Sequence, residues 1–159
     1  AEAATQAYIT EYKLNAKIVR ILNTYGPNMK LDDGRVVTNF IVQALKNKDI
    51  TVFGKGLQTR SFSYVDDTVN GIMLASSYKE PDIFNIGNDN EITIYQLAQT
   101  IIDITNAKSN IIYKDLPKDD PLQRKPDLRK SKELLNYEPV IGLEKGLEKT
   151  IEWVKKNID

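Results

Sequence analysis

Two arginines, an asparagine and an aspartate carry most of the chemistry that this sequence offers. Arg60 stands in VFGKGLQTRSFSYVDD (Val52 to Asp67), where strand alternation puts it on the same side as Phe62. A guanidinium there can pair bidentately with a phosphate or carboxylate, or form a surface salt bridge. Arg124 and Lys125 lie in a loop stiffened by Pro117, Pro121 and Pro126, just ahead of a helical stretch. They either bring positive charge to a diphosphate or belong to a solvated charge run. Asp127 either accepts hydrogen bonds from sugar hydroxyls or caps the following helix, and taken by itself the cap is the stronger reading. Asn23 and Thr24 belong to RILNTYGPNM (Arg20 to Met29), at the carboxyl end of a strand, where open α/β sheets hold their ligands. The alternative use for Asn23 is to tie down the Gly26-Pro27 turn. A helix beginning at Val36 and Val37 offers free backbone N–H groups to an anion.

Other chemistry is excluded by composition. The 159 residues contain neither Cys nor His, so disulfides, thiolate metal sites and imidazole catalysis are ruled out. Lys plus Arg (22) balances Asp plus Glu (22), which leaves no excess of basic charge for a nucleic-acid surface. No apolar run is long enough to span a membrane and no signal peptide is visible, so no membrane partner is expected and the cytoplasm is the default compartment. Gly54-Lys55-Gly56-Leu57-Gln58-Thr59 resembles half of a dinucleotide fingerprint, but Thr59 replaces the third glycine and a strand follows where a helix is needed.

The elements that must position these residues follow from periodicity. Helical spacing predicts helices over residues 1–13, Val36 to Lys46, from Asp66 or Asp67 (as cap) to about Tyr78, from Thr93 (as cap) through Ile104, Arg129 to Leu135, and Leu143 to Asn157. Alternation and turn residues predict strands at Ala16 to Leu22, Ile50 to Phe53, Thr59 to Val65, Ile83 to Ile86 and Ile111 to Tyr113. Residues 114–127 read as a charged loop. The alternation of strands and helices, without a dividing linker, predicts an α/β fold in one domain spanning 1–159.

Taken together and in order, these segments resemble the extended short-chain dehydrogenase family of NAD-dependent sugar-nucleotide epimerases, dehydratases and decarboxylases. DDGRVVTNFIVQAL (Asp32 to Leu45), QTRSFSYVDD (Gln58 to Asp67) and DDPLQRKPD (Asp119 to Asp127) are most similar to the UDP-glucuronate decarboxylase group, whereas NTYGP is shared more widely. The resemblance implies a UDP-sugar partner and a role for each matching residue. Asn23 would contact the diphosphate and Phe53 would border the uracil. Arg60 would grip the diphosphate, with Arg124 as a second nucleotide-binding arginine. Asp127 would receive ribose hydroxyls, and Val36 and Val37 would border the phosphates. Asn28 departs from the pattern, since many decarboxylases carry Arg after the Gly-Pro, near the glucuronate carboxylate.

The same resemblance implies what this chain lacks. The family's Rossmann half carries a glycine fingerprint, then a Thr or Ser and a YxxxK pair. Here there is neither the fingerprint nor YxxxK in the proper context, and AEAATQAY matches the stretch just after that Lys. The expectation is the C-terminal, substrate-binding portion of the fold with the Rossmann half absent, residues 1–25 being the tail of that half. NAD would serve the complete enzyme and would not bind tightly here, and the chain alone would not turn over substrate. Epimerase and 4,6-dehydratase fragments, and a stand-alone binding or assembly module, remain alternatives. A separate Rossmann half is a possible partner. Self-association or a homodimer through exposed apolar surface and the helix at 1–13 is also expected.

Overall fold

The computed structural model describes residues 1–116 and 121–158. Pro117 and the first two residues of the DDPLQRKPD segment lie outside the described residues. Helix α1 (Glu2–Tyr12) stops at Lys13, whose φ of 53° turns the chain left-handed. It leads into β1 (Lys17–Ile21), which runs parallel to β6 (Asp82–Ile86), in register from Lys17↔Asp82 to Ile21↔Ile86. Helices α3 (Val65–Ser77) and α5 (Arg129–Leu135) pack on this pair and enclose one buried cluster, built on Ala75, Phe84, Ile86, Leu128, Leu135 and Tyr137. A Cβ on Gly71 of α3 would stand 2.4 Å from Ile86, so glycine is what lets this helix lie directly against the strand.

A larger cluster joins α2 (Val36–Leu45), α4 (Ile94–Thr105) and α6 (Leu143–Asn157) to β3 (Ile50–Phe53), which pairs in parallel with β8 (Ile111–Lys114). Apolar residues at helical spacing explain the arrangement, since Val37, Phe40, Ile41 and Ala44 of α2 are all buried. Helix α4 starts in a capping box, as Thr93 implies. Gln96 N–H donates to Thr93 Oγ1 at 3.1 Å and Thr93 N–H to Gln96 Oε1 at 2.8 Å. Gly146 of α6 admits the Tyr25 ring, because a Cβ there would meet the Tyr25 hydroxyl at 2.1 Å.

Three expectations are corrected. The strand expected at Thr59 to Val65 is two strands. β4 (Thr59–Ser61) lies between β7 (Glu91–Thr93), antiparallel, and β9 (Gln123–Arg124), parallel. After Phe62 the chain continues as β5 (Ser63–Tyr64), parallel to β2 (Thr24–Tyr25). Alternation of side chains survives such a change of partner, so the break leaves no mark in the pattern. Secondly, Arg124 sits on a short strand where a loop was expected. Thirdly, neither Asp66 nor Asp67 caps α3, whose N-cap residue is Tyr64. Asp67 is buried and instead accepts the backbone N–H groups of Val140 (3.1 Å) and Ile141 (3.0 Å), pinning the segment ahead of α6.

Among the described residues β1 pairs with β6 alone, which leaves its other edge without a strand. Ile21 is 55% exposed, and Tyr8, Tyr12, Val69 and Met73 are exposed as well. No described helix is long and apolar enough to cross a membrane.

Candidate nucleotide-binding site

The fold opens a cavity of about 900 Å³ beyond the carboxyl ends of β1 and β3. Asn23, Val36, Val37, Phe53, Arg60 and Arg124 all line it. Six of the seven residues singled out from the sequence are thus brought together from four different elements and one turn. Asp127 is the exception.

Arg60 and Arg124 are register partners on β4 and β9, so their side chains leave the same face of the sheet side by side. Arg60 is 9% exposed and its Nη1 donates to the Thr59 carbonyl at 2.8 Å. Like charges opposite each other on a sheet are destabilising by a few tenths of a kcal/mol or more, ~0.2–1 kcal/mol. Glu91 holds the two strands together despite this. Its Oε1 accepts from Thr59 Oγ1 and from Gln123 Nε2, both at 2.8 Å, and Lys125 lies 3.6 Å from Oε2. Hydrogen bonding, from Gln123 first and then Thr59, keeps the Glu91 carboxyl below the usual carboxylate range.

Asn23 has φ 46°, a left-handed conformation that Asn tolerates. Its Nδ2 donates to the Ser61 carbonyl at 2.9 Å, and its own carbonyl accepts Ser63 N–H at 3.1 Å. Asn23 therefore both lines the cavity and spans the break at Phe62, rather than fastening the Gly26-Pro27 turn through its side chain. Beside it, Thr24 Oγ1 is 2.8 Å from Thr68 Oγ1.

The N-terminus of α2 faces the same space. Its N-cap residue, Arg35, makes no side-chain capping bond, and no acidic residue occupies the first turn. Val36 and Val37 thus present a helix N-terminus, with its partial positive charge, to the cavity. Asp33 restrains the approach, accepting Arg35 N–H at 3.0 Å and Thr38 Oγ1 at 3.1 Å. At the far wall Phe53 ends β3, its carbonyl accepting Gln58 Nε2 at 2.9 Å. Gly54 (φ 64°) and Gly56 (φ 70°) then turn the chain back into β4. The turn leads into a strand, so these glycines do not open a helix against a pyrophosphate.

Asp127 lines a separate hollow with Lys125, Arg129 and Lys132. Arg129 grips its carboxylate through Nε (3.0 Å to Oδ1) and Nη2 (2.6 Å to Oδ2), and Arg129 N–H also donates to Oδ1 at 3.0 Å. The cap expected of Asp127 is corrected too, since the N-cap residue of α5 is Leu128 and the Asp127 carboxylate holds Arg129 from one residue earlier; the cavity does not include Asp127. The Arg129 side chain, followed by the backbone N–H, lowers the carboxyl to about 2. Any stabilisation from this contact is fully present above the ordinary Asp value and fades as pH falls through about 2. In a carboxyl-detected NMR titration Asp127 is expected to titrate near 2, and Arg129→Met should return it toward the ordinary range. An unaltered midpoint in that variant would contradict the assignment.

Lys114, Gln43, Thr51 and Gln58 also line the cavity and were not singled out from the sequence. Gln43 meets Thr51 across α2 and β3, with Thr51 N–H donating to Gln43 Oε1 at 3.2 Å. The register of β3 with β8 is what would have exposed Lys114, and a single sequence does not carry it. Among the described residues no group of three His, Cys, Asp or Glu side chains is placed to hold a metal ion.

The sequence pattern of the NAD dependent epimerase/dehydratase family matches residues 1–87. UDP-glucuronic acid decarboxylase 1 of Xenopus tropicalis is 43% identical over 159 residues, covering 100% of this chain and 38% of that protein. The structure of UDP-glucose 4-epimerase from Thermotoga maritima, determined with UDP-glucose, superposes with a TM-score of 0.94 at 32% identity, over 99% of this chain and 52% of that one. UDP-glucuronic acid 4-epimerase from Bacillus cereus, in complex with UDP-glucuronic acid and NAD, gives 0.89 at 28% identity, over 98% and 50%. This chain spans well under two thirds of each, and its mixed α/β fold corresponds to the C-terminal portion of the UDP-sugar epimerases. Because that family pattern matches more than half of the sequence, the chain belongs to the NAD dependent epimerase/dehydratase family.

Proposed function

We propose that this chain is the sugar-nucleotide-binding part of a UDP-glucuronate decarboxylase, and that it grips the diphosphate of a UDP-sugar. The observation that carries the reading is the register pair Arg60 and Arg124 at one cavity, beside the N-terminus of α2. A diphosphate at the two guanidiniums meets two cations at once, and each fork can take two phosphate oxygens. The amides at Val36 and Val37 add donors without adding charge, Asn23 borders the phosphates, and Phe53 offers a face to the base. The binding of diphosphate and base holds the sugar in a fixed place, which is the protein's share of such chemistry.

NAD supplies hydride chemistry in this family, but the residues described here do not fit it. The glycine turn at Gly54 and Gly56 runs into β4, and the sequence holds no Tyr-Lys pair in the proper context. We therefore infer that this chain binds UDP without converting UDP-glucuronate. Asp127 enters as a ribose ligand only if Arg129 releases it, which makes it the weakest of the assignments.

Isothermal titration of the purified chain with UDP tests the reading. Saturable binding, weakened by added salt, is the expected result, and a chain that ignores UDP at millimolar concentration refutes it. A second reading, a UDP-sugar epimerase part, draws support from Asn28, which has φ 66° and carries no charge for a glucuronate carboxylate. Equal affinity for UDP-glucose and UDP-glucuronate would favour it. The exposed Tyr8, Tyr12, Ile21, Val69 and Met73 support self-association, which light scattering would reveal as a mass of two chains or more.

A further inference from the structure

Phe53 and Lys114 end β3 and β8 and are register partners, so their side chains leave the same face of that pair. Both line the cavity. Their main chains are fixed, with Gly54 N–H donating to the Lys114 carbonyl at 2.7 Å and Gln58 Nε2 to the Phe53 carbonyl at 2.9 Å. Phe53 is 45% exposed, and Lys114 is exposed beside it. The arginine pair stands on a different sheet, β4 with β9. The cavity thus has two register pairs of different chemistry, one of two guanidiniums and one of an aromatic ring with an ammonium.

An aromatic face next to an ammonium suits a nucleobase. The base stacks on the ring, which any base can do, while an in-plane acceptor on its edge meets the cation. Selectivity must then come from the ammonium, which carries three donors and no acceptor. Uracil presents the O4 carbonyl where cytosine presents an amino group. An amino group facing Lys114 would place two donors together, so the ammonium would turn to water and its hydrogen bond to the base would be lost.

Resting on the nucleotide-binding reading above, we propose that Lys114 selects the base of this site by donating to uracil O4, so that the cavity prefers UDP to CDP. The arginine pair acts on phosphates common to both ligands and does not distinguish them.

The test compares UDP and CDP affinities by isothermal titration for the unaltered chain, Lys114→Met and Lys114→Arg. Methionine keeps much of the apolar stem, and the exposed position lets the fold be verified by an unchanged circular dichroism melt. The unaltered chain should prefer UDP by about tenfold, the effect of one charge-assisted hydrogen bond made by UDP and not by CDP. In Lys114→Met that ratio should fall to near one through weaker UDP binding, while Lys114→Arg keeps most of the preference. Equal weakening of both ligands by Lys114→Met would assign the ammonium to the phosphates and overturn the proposal. A UDP to CDP ratio that the substitution leaves unchanged would overturn it too. If the unaltered chain binds UDP and CDP equally, base selection fails while the nucleotide site stands. If it binds neither, both readings fall.

Discussion

Replacing Arg60 with Met is expected to weaken UDP binding by about thirtyfold or more, while Arg124→Met weakens it roughly three- to tenfold. The difference follows from burial. Arg60 is 9% exposed, so its charge acts across a medium that screens poorly, and truncating one member of a buried charged contact costs about 2 kcal/mol or more. Arg124 is exposed at the end of a two-residue strand, where water and salt screen it. Titrations at low and moderate salt check both the order and its cause, since the Arg124 contribution should shrink faster with salt. The ligand-free melting temperature of each variant separates loss of a contact from loss of the fold. If Arg60→Met binds UDP as the unaltered chain does, with the melt unchanged, the site assignment is wrong.

Asp67→Ala should be strongly destabilising although it lies away from the cavity. The carboxylate is buried and is the acceptor for Val140 N–H and Ile141 N–H, which lie 73 and 74 residues further along the chain. Its removal leaves donors to find water and frees the lead into α6, which covers the larger cluster with Leu147, Ile151 and Val154. Two hydrogen bonds to a charged group are together worth about 3 kcal/mol or more. For a chain of this size that corresponds to a fall of roughly 6–12 °C in melting temperature, read by circular dichroism or calorimetry. Asp67→Asn keeps one acceptor oxygen and should lose about half as much. A fall as large in Asp67→Asn as in Asp67→Ala would show that the charge itself, rather than the acceptor, holds the segment.

Periodicity made most of the scaffold legible. Helix α4 could be read together with its cap, because Thr93 and Gln96 are three apart and the apolar residues repeat at helical spacing. The strand end at Phe53 was legible from the glycines that follow it, and β1, expected to end at Leu22, ends one residue earlier at Ile21. What escaped was pairing. The two-residue strands at Thr24–Tyr25 and Gln123–Arg124 are too short to alternate, and only the partners across the ladder define them. The bend at Phe62 escaped for the same reason. Asp67 was misread because an Asp at a helix start is usually a cap, whereas here a tertiary contact claims both its oxygens. Of the residues that line the cavity, those with local signals or a family resemblance could be singled out beforehand and Lys114 could not, nor could Glu91 in the sheet beside it. Lys114 depends on the β3–β8 register, and Glu91 acts by bridging two strands that a one-dimensional reading does not know are neighbours.

The parallel ladders have a kinetic consequence. Lys17 must find Asp82, Ile50 must find Ile111 and Arg60 must find Arg124, so each ladder closes a loop of roughly sixty residues before its first bond forms. Local helices, the β4–β7 turnback and the short β2–β5 pair close smaller loops and can form earlier. Such a chain folds late and nearly all at once, with its long-range pairings formed in the rate-limiting step. The two halves of the arginine pair therefore do not exist as a site in any partly folded form. Binding of an anion can reward the finished fold, but it cannot guide the chain toward it.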